Sequence, residues 1–88
     1  MQILEIKNIV RKDVPIYYRM YYSGIAVMEL INKSVERKID FSIEIKPTGQ
    51  KEILITIADP VDYPLIPIIR ELKKHIDLLY ANGNLPPL

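Results

Sequence analysis

The side chains that most often carry enzyme chemistry are few and scattered in this sequence. The chain has one histidine, His75, and no cysteine. Common metal sites need several histidines, cysteines or convergent carboxylates, so the sequence predicts no metal-binding residues. The lack of cysteine also excludes disulfides and thiol chemistry. His75 falls at the flank of a predicted apolar helix stripe, where we expect it to shield the edge of the core rather than to act as a base.

The remaining polar candidates also favour structural roles. Asp59 and Asp62 are a close pair of carboxylates, but turns and helix starts recruit aspartate, so we expect capping rather than acid-base catalysis. The three glycines stand alone in separate segments, whereas a phosphate cradle needs them clustered. The sequence therefore predicts no catalytic residue, no cofactor and no enzyme. A distant alternative is a small enzyme or ligand-binding domain that uses Asp59, Asp62 and Tyr63.

One short segment has an unusual composition. Residues 17 to 22 hold four of the six tyrosines, together with an arginine and a methionine. In a strand, the period of two would send Tyr18, Met20 and Tyr22 to one face, and their neighbours to the other. Tyrosine, methionine and arginine are enriched at the centres of protein interfaces. The candidate interaction surface comprises Tyr17, Arg19, Tyr21 and Tyr22.

Two functions of different class follow from that segment. The first is a non-enzymatic module for protein interaction or assembly, which pairs with itself or with another protein through the Tyr-rich strand. The alternative is a module that binds single-stranded nucleic acid by stacking bases on tyrosines beside Arg19 and Lys7. A third interpretation assigns no partner, because tyrosines on a wet sheet face also shield backbone and pack against one another.

Length and charge limit these functions further. The chain has 88 residues and 49% apolar residues, which is enough for one folded domain but not for two. Its formal net charge is +1, which argues against binding modes that need a strong positive field. No apolar run reaches the length of about 20 residues that a bilayer requires, and the N-terminus lacks the pattern of a signal peptide. A soluble, cytoplasmic protein is the expectation.

Periodicity and turn residues predict an α+β fold. It consists of an antiparallel β-meander of four to five strands and one C-terminal amphipathic helix packed on one face. The strands are expected at about 3–10, 14–22, 25–32, 38–46 and 50–58, and the helix at about 62–82. Residues 25–32 also contain good helix formers, so a short helix there is the alternative. In the first strand, Leu4, Ile6 and Val10 are predicted to share a face.

The fourth and fifth predicted strands form the clearest local pattern. Apolar residues alternate strictly with polar ones from Ile39 to Lys46, as in a strand with one buried face. Pro47-Thr48-Gly49 then predicts a three-residue hairpin loop, because proline presets φ and glycine accepts a positive φ. That loop places Phe41 opposite Ile55. A slip of one residue would move a row of isoleucines into water, so the register is strongly specified.

The last predicted element is an amphipathic helix. Asp62 is the expected N-cap, and the two prolines that follow it lie in the first turns, where a missing N–H costs least. Asn82-Gly83-Asn84 is expected to end the helix, with Leu85 folding back onto its last turn. The apolar stripe at spacings of three and four must lie on the isoleucine face of the sheet. It comprises Leu65, Ile68, Ile69, Leu72, Ile76 and Leu79.

Overall fold

The computed structural model describes residues 1–16 and 18–87 and contains one antiparallel sheet and one helix. The strands are β1 (Gln2–Lys12), β2 (Arg19–Leu30), β3 (Lys33–Ile45) and β4 (Lys51–Ile57), in the spatial order β1-β2-β3-β4. The helix α1 (Leu65–Ala81) follows the last strand and packs against the sheet. The predicted α+β meander with one C-terminal helix is therefore confirmed, with four strands.

The predicted second and third strands are a single strand, β2. The predicted turn at Ser23-Gly24 is wrong, because these residues pair without interruption with Asp40 and Ile39 of β3. Gly24 serves instead as a point of close approach: a Cβ there would lie 3.1 Å from Ile6 Cγ2. The strand continues to Leu30 because both of its sides are hydrogen-bonded, which outweighs the helix propensity of its second half.

The sharp turn lies further along the chain than predicted. Asn32 adopts a positive φ of 62° between Leu30 and Lys33, which pair with each other. Asparagine tolerates this left-handed conformation better than most residues, so the chain reverses there. The predicted polar loop from Asn32 to Lys38 is consequently mostly the first half of β3. Pro15 precedes β2, so the strand begins its pairing after the proline, one of the two arrangements expected.

Two bulges control which side chains of β1 face the helix. The register against β2 shifts between Ile3 and Glu5 and again between Lys7 and Val10, and Asn8 has a φ of 55°. Each bulge adds one residue and so reverses the alternation of faces. As a result, residues spaced by three, namely Ile3, Ile6 and Ile9, pack toward the core. The expectation that Leu4 and Val10 share the face of Ile6 is wrong, since both are exposed.

The hairpin of β3 and β4 has the predicted register. Phe41 lies opposite Ile55, and the flanking isoleucine pairs follow the same alignment. In the loop, Gly49 has a φ of 88° and donates its N–H to the Lys46 carbonyl, at 2.8 Å. Lys46 in turn donates to the Gln50 carbonyl at 2.8 Å, so the three-residue loop is confirmed.

Helix α1 begins three residues later than predicted. Pro64 occupies the N-cap position with a ψ of 131°, and no side chain caps the helix there. Proline disfavours helical backbone at the residue before it, so Tyr63 cannot extend the helix and Asp62 is not the cap. At the other end, Gly83 has a φ of 68°, and Asn84 donates to the Leu79 carbonyl at 2.9 Å. This glycine-based end is as predicted.

The core lies between the helix and the inner face of the sheet. The helix contributes Ile68, Leu72 and Ile76, all fully buried, with Ile69 and Leu79 partly buried around them. Leu65 was expected in the same stripe, but it is 59% exposed because it stands at the very start of the helix. The helix backbone comes closest to the edge strands β1 and β4, so the sheet curves around it. The sheet's buried apolar residues are Ile6, Tyr22, Ala26, Met28, Leu30, Ile39, Phe41, Ile43 and Ile53.

Candidate functional site

The face of the sheet turned away from the helix carries a shallow groove. In one row across three strands, Tyr21 of β2 lies opposite Ser42 of β3, which lies opposite Leu54 of β4. Ser42 is short and only 6% exposed, so it forms a floor between two larger apolar side chains. Leu54 is 47% exposed. We call this feature the Ser42 groove; it is lined by Lys12, Arg19, Tyr21, Asp40, Ser42, Leu54 and Thr56.

Ion pairs close both ends of the Ser42 groove. At one end, the Arg19 guanidinium pairs with the Glu44 carboxylate and also donates a hydrogen bond of 3.4 Å to Ser42 Oγ. At the other end, Lys12 Nζ lies 2.8 Å from Asp40 Oδ1. A planar guanidinium bound in this way holds its carboxylate in a defined orientation. The groove therefore has an apolar and hydroxyl centre with charged, mutually neutralised ends.

Two further ion pairs lie on the same face. Lys7 Nζ is 3.1 Å from Glu36 Oε1, and Lys46 Nζ is 3.0 Å from Glu52 Oε2. The hydrogen bond and the charge of Lys46 lower the pKa of Glu52 below its usual value. Glu44 and Glu52 lie directly opposite each other, as the sequence predicted. Their repulsion is relieved by Lys46 and Arg19, whereas Lys51, expected to help, pairs with Asp77 of the helix.

The structure separates the predicted interaction residues. Arg19 and Tyr21 lie on the outer face, as predicted, and both line the Ser42 groove. Tyr22 was expected to contribute to the surface but is 2% exposed, so it is a core residue. Its ring stacks on Phe41 at 5.1 Å between centroids, and burial raises the pKa of its hydroxyl. Tyr17 lies outside the described residues.

Two residues of the groove were not predicted as site residues. Ser42 and Leu54 sit on the polar face of an alternating hairpin, where neither is unusual alone. The signal was present in the predicted register, because placing Phe41 opposite Ile55 also places Ser42 opposite Leu54. That pair becomes informative only when β2 brings Tyr21 alongside it.

The residues weighed for catalysis are not brought together into a site. Asp59 and Asp62 are exposed, and Tyr63 packs against the core. His75 is half-buried on the flank of the helix. Over residues 1–16 and 18–87, no three or more histidine, aspartate or glutamate side chains are grouped so as to hold a metal ion. In the same part of the chain, no helix combines the length and apolar character needed to cross a membrane.

Comparison with known proteins identifies the family of this chain. The model of the BB-0187 family matches residues 1–81, so the chain belongs to that family. The match spans all four strands and the whole of helix α1. No curated protein and no solved structure shows significant similarity to the chain.

Proposed function

We propose that this family member is a non-enzymatic module for protein interaction or assembly, and that it docks a protein on the Ser42 groove. The observation that carries the proposal is the composition of the groove: Tyr21 and Leu54 flank a recessed serine, and ion pairs stand at both ends. Protein interfaces have this arrangement, with aromatic and apolar contacts at the centre and charges at the rim. We also propose that it acts in the cytoplasm.

The same ion pairs argue against the alternative of single-stranded nucleic-acid binding. Such binding needs cations free to contact phosphates beside stacked aromatic rings. On this face Lys7, Lys12 and Arg19 each pair with a carboxylate. A labelled oligonucleotide titrated at low salt would separate the two functions: tight, salt-sensitive binding would favour the nucleic-acid function, and an unchanged signal would remove it.

Photo-crosslinking in the cells that naturally express the protein tests the docking proposal directly. Benzoylphenylalanine replaces Leu54 in one variant and Tyr21 in a second. A matched control carries the same group at Lys74, an exposed helix position well away from the groove. We expect discrete covalent protein adducts from positions 54 and 21, and none from position 74. Equal labelling at all three positions, or no adduct at 54 and 21, would overturn the proposal.

A further inference from the structure

Strand β4 is an open edge of the sheet. Among the described strands it pairs only with β3, and its seven residues contain no bulge and no proline. Its sequence from Ile53 to Ile57 consists of four β-branched residues and one leucine. Such residues favour extended structure, and a regular, unpaired edge is a template for adding another strand.

The hydrogen bonds at both ends of the hairpin show which backbone groups of β4 are available. Ala58 N–H donates to the Lys38 carbonyl at 3.0 Å, and Lys46 N–H donates to the Gln50 carbonyl at 2.8 Å. Antiparallel pairs alternate between hydrogen-bonded and non-bonded, so the even-numbered residues of β4 direct their N–H and C=O toward β3. The odd-numbered residues direct theirs to the open edge. These are Lys51, Ile53, Ile55 and Ile57.

From this geometry we infer that β4 pairs antiparallel with β4 of a second copy of the chain, about a two-fold axis at Leu54. In that register Lys51 faces Ile57 of the second copy, and Ile53 faces Ile55. It is the register that pairs every residue of β4, and all of its bonded pairs are the odd-numbered residues whose groups point outward. Inner side chains also continue to meet inner side chains across the join.

The charges on β4 suit this occupant. The strand carries Lys51 and Glu52 at one end and only Thr56 and Ile57 at the other. Antiparallel self-pairing therefore sets each charged end against an uncharged end, and no like charges face each other. Asp59 follows Ile57 in the chain and approaches the Lys51 end of the second copy with opposite charge. A parallel arrangement would instead place each charge beside its own duplicate.

The dimer would extend the proposed docking surface, so this inference rests on the proposed function. At the axis, the exposed Leu54 side chains of the two copies meet on the outer face. The row formed by Tyr21, Ser42 and Leu54 then continues through Leu54, Ser42 and Tyr21 of the second copy. Two Ser42 grooves become one longer surface across a continuous sheet of eight strands, twice the four of one chain. The module would thus present a symmetric docking surface to its partner.

Single cysteines test the axis, because the natural chain has none. In the Leu54→Cys variant the two cysteines face each other in a non-bonded pair, with Cα atoms about 4.5 Å apart, which suits a disulfide. In the matched Thr56→Cys control, four residues separate the cysteines along the strand, about 13 Å, too far to bridge. Under mild oxidation we expect covalent dimers from L54C alone. Equal rates for the two variants would overturn the inference.

Charge complementation provides the second arm. Light scattering on a sizing column should give twice the monomer mass for the wild type at high concentration. L54K and L54E should each give the monomer mass alone, because each puts like charges at the axis. An equimolar mixture of the two should recover the dimer. Leu78→Lys, at an exposed helix position, should leave the dimer intact. A monomeric wild type, or a mixture that stays monomeric, would contradict the inference.

The two proposals can fail separately. If position 54 crosslinks in cells to a different protein while the purified wild type stays monomeric, the docking function stands and the second copy is wrong. If the purified protein dimerises through Leu54 but position 21 gives no adduct in cells, the dimer stands and the docking surface is wrong.

Discussion

The two edge strands of the sheet are equally part of the core but differ in what they present outward. Ile6 of β1 and Ile53 of β4 are 7% and 9% exposed, and helix α1 approaches both strands. Outward, β1 is interrupted by two bulges, whereas β4 runs regularly for its full length. Bulges twist an edge away from further pairing and leave residues out of register, so β1 resists the addition of a strand. β4 has no comparable protection, which makes it the side on which the sheet can grow.

The largest effects should be equal at the two edges. Ile6→Ala and Ile53→Ala each remove most of a buried side chain, so we expect each to lower the free energy of unfolding by about 2–5 kcal/mol. Urea unfolding followed by circular dichroism, at a low protein concentration, measures both. A loss near zero for Ile6→Ala beside a full loss for Ile53→Ala would show that the bulges do not hold β1 on the core.

The second bulge depends on the backbone of Asn8. This residue has a φ of 55°, a region that β-branched side chains enter only at a cost. We expect Asn8→Val to lower the free energy of unfolding by about 1–2 kcal/mol. Asn8→Gly is the matched control and should cause little or no loss, because glycine accepts a positive φ without steric cost. Equal stability of the valine and glycine variants would contradict the bulge geometry.

Alkaline pH should test which face of β1 carries Arg11. Burial raises the pKa of Tyr22, and the charge of Arg11, which pairs with it across the strands, opposes that rise. A folded pKa above the unfolded one means that stability is complete below the unfolded pKa and is lost as pH rises through the folded pKa. The wild type should therefore lose stability above about pH 10.

Variants at these two positions separate burial from charge. Tyr22→Phe should flatten the alkaline loss and cost less than about 1 kcal/mol at neutral pH, because the hydroxyl makes only a weak 3.7 Å contact with Met20 Sδ. Arg11→Met should steepen the loss. Unfolding free energies measured against pH give both, with Tyr21→Phe on the outer face as the control. An Arg11→Met profile identical to the wild type would place Arg11 on the wrong face.

The smallest effect concerns the ion pair on β4. Lys46 lowers the pKa of Glu52, so Lys46→Met should raise that pKa toward the ordinary glutamate value. A depressed folded pKa contributes stability above the unfolded pKa, and this is lost as pH falls through the folded value. Carboxyl chemical shifts from an NMR titration report the change, with Lys74→Met as the control. No change in the Glu52 titration would show that the pair does not form in solution.

Local chemistry was enough to predict the β3–β4 hairpin. The Pro47-Thr48-Gly49 loop determines which residues face each other, and strict alternation determines which face is buried, so the pairing of Phe41 with Ile55 was correct. The same reasoning found the helix, but it assigned Asp62 as the cap and Leu65 to the core. Whether Leu65 is covered depends on where the sheet lies under the first turn of the helix, which no local pattern encodes.

The candidate site was only half visible in the sequence. The period of two correctly placed Arg19 and Tyr21 on one face, and Met20 and Tyr22 on the other. It could not say which face the helix would cover, so Tyr22 was assigned to the surface although it packs on Phe41. Leu54 was overlooked because a single apolar residue on a wet face has no meaning until its neighbours across the sheet are known.

The sequence by itself determined the elements of this protein, the register of its last hairpin and the apolar stripe of its helix, because each follows from side-chain period and turn chemistry over a few residues. Only the tertiary structure decided that residues spaced by three in β1 face the core, that Tyr21 meets Ser42 and Leu54, and that β4 is the open edge. Those outcomes depend on which strands become neighbours. Neighbours are chosen by the burial of the whole apolar surface at once, which is a property of the folded chain and not of any segment.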